Sequence, residues 1–397
     1  MMLELSRKAQ GVVGSITLEI DAKAKSMKAS GEDVISFGAG EPDFNTPAYI
    51  SDAAKQALDL GITKYTPASG TVELKKAICE ALKKEGKEYQ AENIVVSNGA
   101  KHALFNTFAA ILNDGDEVII PSPYWVSYTE IIKMVGGVPV LVECDAKAGF
   151  MLNIESIKQA VNSKTKAICI NSPNNPTGAV YSEESLRAVA DIAKQHQLFI
   201  VADEIYNKLV YDAGECASIA MIPEVKDQVI LINGLSKTYA MTGWRIGYTA
   251  SAAPIAKAIA NYQSHATSNP NSMAQYASVA ALKGTGEELE MMRKEFDRRR
   301  QYMVETVTGI QGLSCIMPGG AFYAFINIEG CLGKAHNGKQ IKASMDFCNA
   351  LLDTEKVAAV PGIAFGADTY IRLSYAVSME NIEKGLERIK KFVGQLK

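Results

Sequence analysis

A lysine flanked by hydroxyls, Ser236-Lys237-Thr238, with an arginine downstream at Arg245, is the part of this chain best suited to covalent chemistry. The apolar run Val229-Ile-Leu-Ile232 reads as a strand entering this segment, and Arg245-Ile-Gly-Tyr248 as a short strand leaving it. Lys237 thus falls on a connection at strand ends, where reactive residues concentrate. A protonated amine is a poor nucleophile, but a dry or cationic surrounding lowers its pKa and suits it to Schiff-base chemistry. Arg245 is placed to supply that cation. A P-loop is excluded, because that motif needs glycine directly before the lysine and Ser236 stands there.

Three further segments carry binding chemistry. In Gly38-Ala-Gly40-Glu-Pro42 the glycines permit close backbone approach to a ligand, and the proline stops regular structure. Asn98-Gly99-Ala100-Lys101 joins the apolar strand Ile94–Ser97 to a helix reaching about Leu112; free amides at such a turn, at the positive end of a helix, suit phosphate. In the strand Tyr370-Ile-Arg-Leu-Ser-Tyr375, alternation puts Tyr370, Arg372 and Ser374 on one face, and an arginine held there suits bidentate carboxylate recognition.

The elements that must position these groups alternate. Strands are predicted at 117–120, 138–142, 167–170, 198–202 and 229–232, with helices between them at 126–135, 154–161 and 183–196. Short, nearly continuous apolar strands separated by helices indicate a parallel sheet covered on both faces, with ligands at the carboxyl ends of the strands. No strand is followed by G-x-G-x-x-G, which puts the dinucleotide reading well behind. Upstream, Ser15–Lys28 reads as an amphipathic arm or helix, 34–37 as a strand, and 46–60 and 72–85 as helices. From 287 to 306 a long charged helix is predicted, with Arg298-Arg-Arg300 on a solvated face. Strands at 313–317, 322–328, 357–360 and 370–375 and helices at 341–352 and 379–393 then suggest a separate α+β unit.

The chain has 397 residues, 47% hydrophobic and 21% charged, with a formal net charge of -3. That charge gives no long-range pull toward nucleic acid or an anionic membrane. Seven scattered cysteines without a C-x-x-C pair, and four distant histidines without H-E-x-x-H, indicate neither a disulfide framework nor a metal site. The amino-terminal residues lack the pattern of a secretory signal, and no apolar run is long enough to span a bilayer. A cytoplasmic protein with no membrane or nucleic-acid partner is expected.

Five segments, Gly38–Phe44, Asn171–Gly178, Ala202–Tyr206, Ser236–Arg245 and Tyr370–Ser374, together resemble the class I aminotransferases, fold-type-I enzymes that use pyridoxal phosphate. The resemblance runs along the whole chain. It implies a large α/β cofactor-binding domain with a mostly parallel sheet covered by helices, at residues 46–285. Residues 286–397 would form a smaller α+β domain, and residues 1–45 an amino-terminal arm with part of that small domain. Lys237 would hold the cofactor aldehyde and, once displaced by substrate, move the proton from substrate Cα. Asp203 would pair with the pyridine nitrogen, while Tyr206 and Asn175 would hydrogen-bond the ring oxygen. The amides of Gly99, Ala100 and Lys101, the Ser236 hydroxyl and Arg245 would hold the phosphate, and Trp125 would stack on the ring. Arg372 would clamp the substrate α-carboxylate, helped by Asn175 and the Gly40 amide. Tyr65 would reach the phosphate of a second subunit, which implies a homodimer with shared sites.

Specificity also follows from the resemblance. One aspartate-specific subgroup reads the distal carboxylate with a partner-subunit arginine, and the corresponding stretch Ser264–Pro270 has none. The prokaryotic-type subgroup uses a lysine directly after the glycine turn with hydroxyls from the arm, matched here by Lys101, Thr17 and Ser15. Relatives that accept prephenate carry a basic residue in the arm where Val13 stands. The expectation is transfer of the amino group from aspartate to 2-oxoglutarate. The alternatives are another donor (aromatic, alanine, kynurenine or prephenate chemistry) or C–S lysis on the same scaffold. A cofactor-sensing regulator would need a DNA-binding domain, for which the first thirty residues are too few.

Overall fold

The computed structural model describes residues 4–212 and 216–397. Its centre is a seven-stranded sheet. In spatial order the strands are Ile94–Ser97, Gly247–Ala250, Val229–Gly234, Phe199–Asp203, Thr165–Asn171, Glu117–Ser122 and Val138–Glu143. Gly247–Ala250 runs antiparallel to both its neighbours, while the remaining pairings are parallel. The mostly parallel α/β architecture expected of the chain is therefore present.

Alternation along each strand feeds two cores. Ile168, Ile170, Ile200, Ala202, Val229 and Leu231 point to one side, and Ala167, Cys169, Val201, Ile230 and Ile232 to the other. Burial on both faces is why these strands read as unbroken apolar runs rather than as alternating ones. Ser182 and Asn271 cap flanking helices by accepting backbone N–H bonds from Ser185 and Ala274, which satisfies donors that a helix leaves unpaired.

A second sheet has the order Val360–Pro361, Tyr370–Ser374, Tyr323–Asn327 and Ser314–Cys315, all antiparallel. It shares a core with the helices Glu287–Thr308 and Met379–Gly394. Ile35 and Phe37 from the amino-terminal region pack into the same core, and Ile35–Ser36 pairs in parallel with Val357–Ala358. The predicted strand at 357–360 is thus two pieces serving different sheets. The predicted strand at 245–248 begins later, at Gly247, because Arg245 adopts a left-handed conformation with φ 58°.

The expectation that Arg298–Arg300 forms a solvated face is overturned. Arg298 is exposed, but Arg299 and Arg300 are buried. Three consecutive helical residues spread over most of the helix circumference, so a charged triplet cannot share one face. Arg299 bonds Asp43 at 2.8 Å, and Arg300 bonds both oxygens of Asp212, at 2.5 and 2.8 Å. The Asp43 bond ties the loop after Gly40 to the long helix.

Lys87 is 3% exposed and bonds Glu204, the residue after Asp203, at 2.7 Å and Glu85 at 2.9 Å. Burial alone would lower the Lys87 pKa, yet the two carboxylates together hold it above its ordinary value. Lys87→Met leaves buried Glu204 without a cation, while Glu85 keeps Lys208, and the expected loss is about 3–5 kcal/mol in denaturant unfolding. Adding Glu204→Gln should recover part of that loss; no recovery would mean that the cost is not electrostatic.

Candidate active site

The strand order delivers chemistry to one edge. Asp203 is the last residue of its strand, Asn171 ends the neighbouring one, and Lys237 follows Gly234 at the end of a third. All three strands are parallel neighbours, so their carboxyl ends open onto the same place. There a cleft of about 770 Å³ is lined by Lys237, Asp203, Tyr206, Asn175, Ser236, Arg245 and Arg372, among others.

Lys237 Nζ donates to the carbonyl oxygen of Gly40 and lies 5.9 Å from the Tyr206 ring centroid and 5.7 Å from that of Phe322. Its pKa is lowered to about 8, first by burial. Glu41 opposes this, while Arg372 and then Arg245 add to it. The cation expected from Arg245 therefore exists, but desolvation is the main cause and Arg372 the stronger neighbour.

Asp203 accepts from the Tyr128 hydroxyl at 2.7 Å and from the Ile205 amide at 3.1 Å. Burial raises its pKa to about 6 against those two bonds. A buried carboxylate in this state is relieved by a further cationic donor. Tyr206 donates to or accepts from Tyr323, with 2.9 Å between the hydroxyl oxygens.

Arg372 is buried, with one guanidinium nitrogen on Asn175 Oδ1 at 2.9 Å and another on the Gly38 carbonyl at 3.1 Å. Its Nε has no partner. A buried guanidinium N–H without an acceptor is costly, and a ligand carboxylate would satisfy it.

At the far end, the helix Ala100–Ile111 begins at Gly99 without a side-chain cap, which leaves its first amides for a ligand. Two glycines make the turn possible. A Cβ on Gly99 would come within 2.3 Å of an Arg245 nitrogen, and one on Gly247 within 2.2 Å of the Ala100 amide. Arg245 is fastened by bonds to the carbonyls of Thr242 at 2.9 Å and Asn98 at 3.3 Å. The result is an anion cradle with a guanidinium on one side and the Ser236 hydroxyl in the same cleft.

Ser15, Thr17, Lys101, Trp125, Gly40 and Ala100 also line the cleft. Lys101 Nζ lies 4.9 Å from the Trp125 ring centroid, and burial, then Arg245, lowers its pKa. Thr17 Oγ1 is buried without a partner. Tyr65 is the outlier: it is 91% exposed and does not line the cleft. Among the described residues, no group of three or more His, Cys, Asp or Glu side chains is arranged to hold a metal. None of their helices is long and apolar enough to cross a membrane.

Sequence reasoning missed Tyr128 and Tyr323. Tyr128 sits one helical turn after Trp125 and packs edge-on against it, with ring centroids 5.3 Å apart, so it looks like core. Its hydroxyl gains meaning only from Asp203, far along the chain. Tyr323 follows Gly319-Gly320-Ala-Phe, but nothing local shows which strand lies beside it.

Comparison with known proteins agrees with this arrangement. Residues 32–389 match the profile of the family described as aminotransferase class I and II. The chain is 48% identical to the aspartate aminotransferase of Bacillus subtilis over 98% of its length and 99% of that protein. It is 40% identical to an aspartate/prephenate aminotransferase of Nitrosomonas europaea, over 98% and 99% of the two chains. The crystal structure of the aspartate aminotransferase of Rhizobium meliloti superposes with a TM-score of 0.96 at 43% identity, covering all of both chains. That of Thermus thermophilus with maleate gives 0.92 at 41%, over 98% and 100%. On its sequence, its fold and the lysine and arginines gathered at the sheet's edge, the chain belongs to the class I and II aminotransferases.

Proposed function

We propose that the protein transfers the amino group of L-aspartate to 2-oxoglutarate with pyridoxal phosphate as cofactor. One observation carries this reading: a desolvated lysine, a buried carboxylate and an arginine with an unpartnered N–H face one cleft. The residues present fit the cofactor. Lys237 suits its aldehyde, Asp203 its ring nitrogen, and Tyr206 and Asn175 its ring oxygen. The amides of Gly99, Ala100 and Lys101, with Ser236 and Arg245, suit its phosphate, and Trp125 suits its ring face. When bound, pyridoxal phosphate supplies an aldehyde and a conjugated ring that can accept the electron pair of a Cα–H bond.

Each side chain then has a task. Asp203 would hold a proton on the ring nitrogen, since a carboxylate beside it favours the charged ring. Arg372 binds the α-carboxylate with Asn175 and the Gly40 backbone beside it, fixing which Cα bond faces Lys237 Nζ. Lys237 would accept the α-proton at Nζ; a pKa of about 8 suits a base working near neutral pH. Lys101, with the Ser15 and Thr17 hydroxyls, meets the distal carboxylate, and its partly dry setting disfavours an apolar side chain. The same residues serve the oxo acid in reverse, so initial-rate lines for the two substrates should be parallel.

Tyr65, exposed on its own chain, is read as completing the site of a second copy in a homodimer. Residues 46–285 are read as the large domain and 286–397, with part of 1–45, as the small one; the packing of Ile35 and Phe37 in the carboxyl-terminal core supports that grouping.

The reading is tested by absorbance titration of the purified protein with L-aspartate and then 2-oxoglutarate. The bound-cofactor band should convert with the first and return with the second, and Lys237→Ala should not turn over. A band indifferent to aspartate but converted by another donor would overturn the substrate assignment. Reaction of the cofactor-free protein with pyridoxal phosphate should speed up through pH 8 and level off about one unit above, as Lys237 loses its proton. A lysine at the ordinary value would still be accelerating there. Lys101→Met should lower kcat/KM for aspartate by about 10- to 100-fold and that for phenylalanine far less.

A further inference from the structure

Tyr323 touches most of the site without having been assigned a part in it. It opens the strand Tyr323–Asn327 and is 1% exposed. In that antiparallel ladder Tyr323 stands opposite Ser374, and Phe325 opposite Arg372, so Tyr323 lies diagonally across from the arginine on the same face. The Arg372 guanidinium carbon is 4.3 Å from the Tyr323 ring centroid. Its hydroxyl meets that of Tyr206 at 2.9 Å. A Cβ on Gly40 would come within 3.3 Å of the same hydroxyl, so the loop that receives Lys237 passes directly over it.

We propose that Tyr323 is a positioning residue with two functions: its hydroxyl donates to Tyr206, so that the Tyr206 proton is free for the cofactor's ring oxygen, and its ring seats Arg372 for the substrate carboxylate. This rests on the reading that pyridoxal phosphate occupies the cleft. Each phenol has one proton to give, and only one of the two can lie between them. The charged groups facing the pair are Arg372, Asp203 and Lys237. The Arg372 guanidinium lies against the Tyr323 ring, 4.3 Å from its centroid, and a cation beside a phenol makes it the better acid, which makes Tyr323 the donor. Receiving that bond polarises Tyr206 and strengthens its own donation. Packing alone does not call for the hydroxyl, since a phenylalanine would fill the same space between Phe322 and Tyr206.

Tyr323→Phe removes the hydroxyl and keeps the ring. In the holoenzyme, the pH at which the bound-cofactor absorbance changes should rise by about half a unit, because the ring-oxygen anion loses support. In a Tyr206→Phe background the same substitution should add nothing. A Tyr323→Phe enzyme that titrates with the wild type overturns the relay, as does an equal shift in both backgrounds, which is what general loosening would give. Calorimetry with succinate, an unreactive dicarboxylate, tests the ring. Tyr323→Leu should weaken binding about fivefold while Tyr323→Phe stays within about twofold; equal binding by all three overturns the seat. Absence of any cofactor band in the wild type would instead refute the underlying reading, and the succinate series without cofactor would still decide the Arg372 contact.

Discussion

The structure depends on keeping two ionisable groups, Lys237 and Asp203, away from water in one cleft. Their pKa values, about 8 and about 6 against ordinary values of 10.5 and 3.8, mean that burial disfavours both charged forms by roughly 3 kcal/mol each. The penalty at Asp203 is absent in acid, builds as pH rises from 3.8 to about 6, and is full above that. That at Lys237 is present at neutral pH and fades as pH climbs from about 8 to 10.5. Neutral pH is where both apply, and it is where the proposed chemistry needs a reactive amine and a carboxylate in want of a cation. The bonds from Tyr128 and Ile205 already act at Asp203, so its cost is what burial leaves after them.

Strand order makes that burial possible. The antiparallel strand Gly247–Ala250 separates Ile94–Ser97 from the parallel strands, and its first residue passes so close to the Gly99–Ala100 turn that only glycine fits. The phosphate-sized cradle and the lysine connection therefore share one edge. Arg245, in its left-handed conformation just before the strand, is turned back onto the cradle by that same crossing.

The carboxylate end is built from the other sheet. Arg372 comes from the small antiparallel sheet, yet it bonds Asn175 of the large unit and the Gly38 carbonyl. Arg299 holds Asp43 from the long helix, and Lys237 reaches Gly40. The loop 38–43 is thus tied at once to the lysine connection of the large sheet, to Arg372 of the small one and to the long helix.

Much of this was legible in the chain alone. Apolar runs separated by helical periods specify a covered parallel sheet, since each strand must bury both faces. The types of Lys237, Asp203, Arg245 and Arg372 specify an amine, a carboxylate and two anion-binding groups, whatever surrounds them. Tertiary structure decided how each type behaves. Arg299 and Arg300 looked solvated because a helix shows its neighbours only at three and four residues' spacing, and their partners Asp43 and Asp212 are distant in sequence. Tyr128 and Tyr323 looked like core aromatics because a hydroxyl's role is set by what lies across the sheet. Burial, strand register and the meeting of two cores are properties of the folded whole, so the dryness that lowers the Lys237 pKa had no signature in its local sequence.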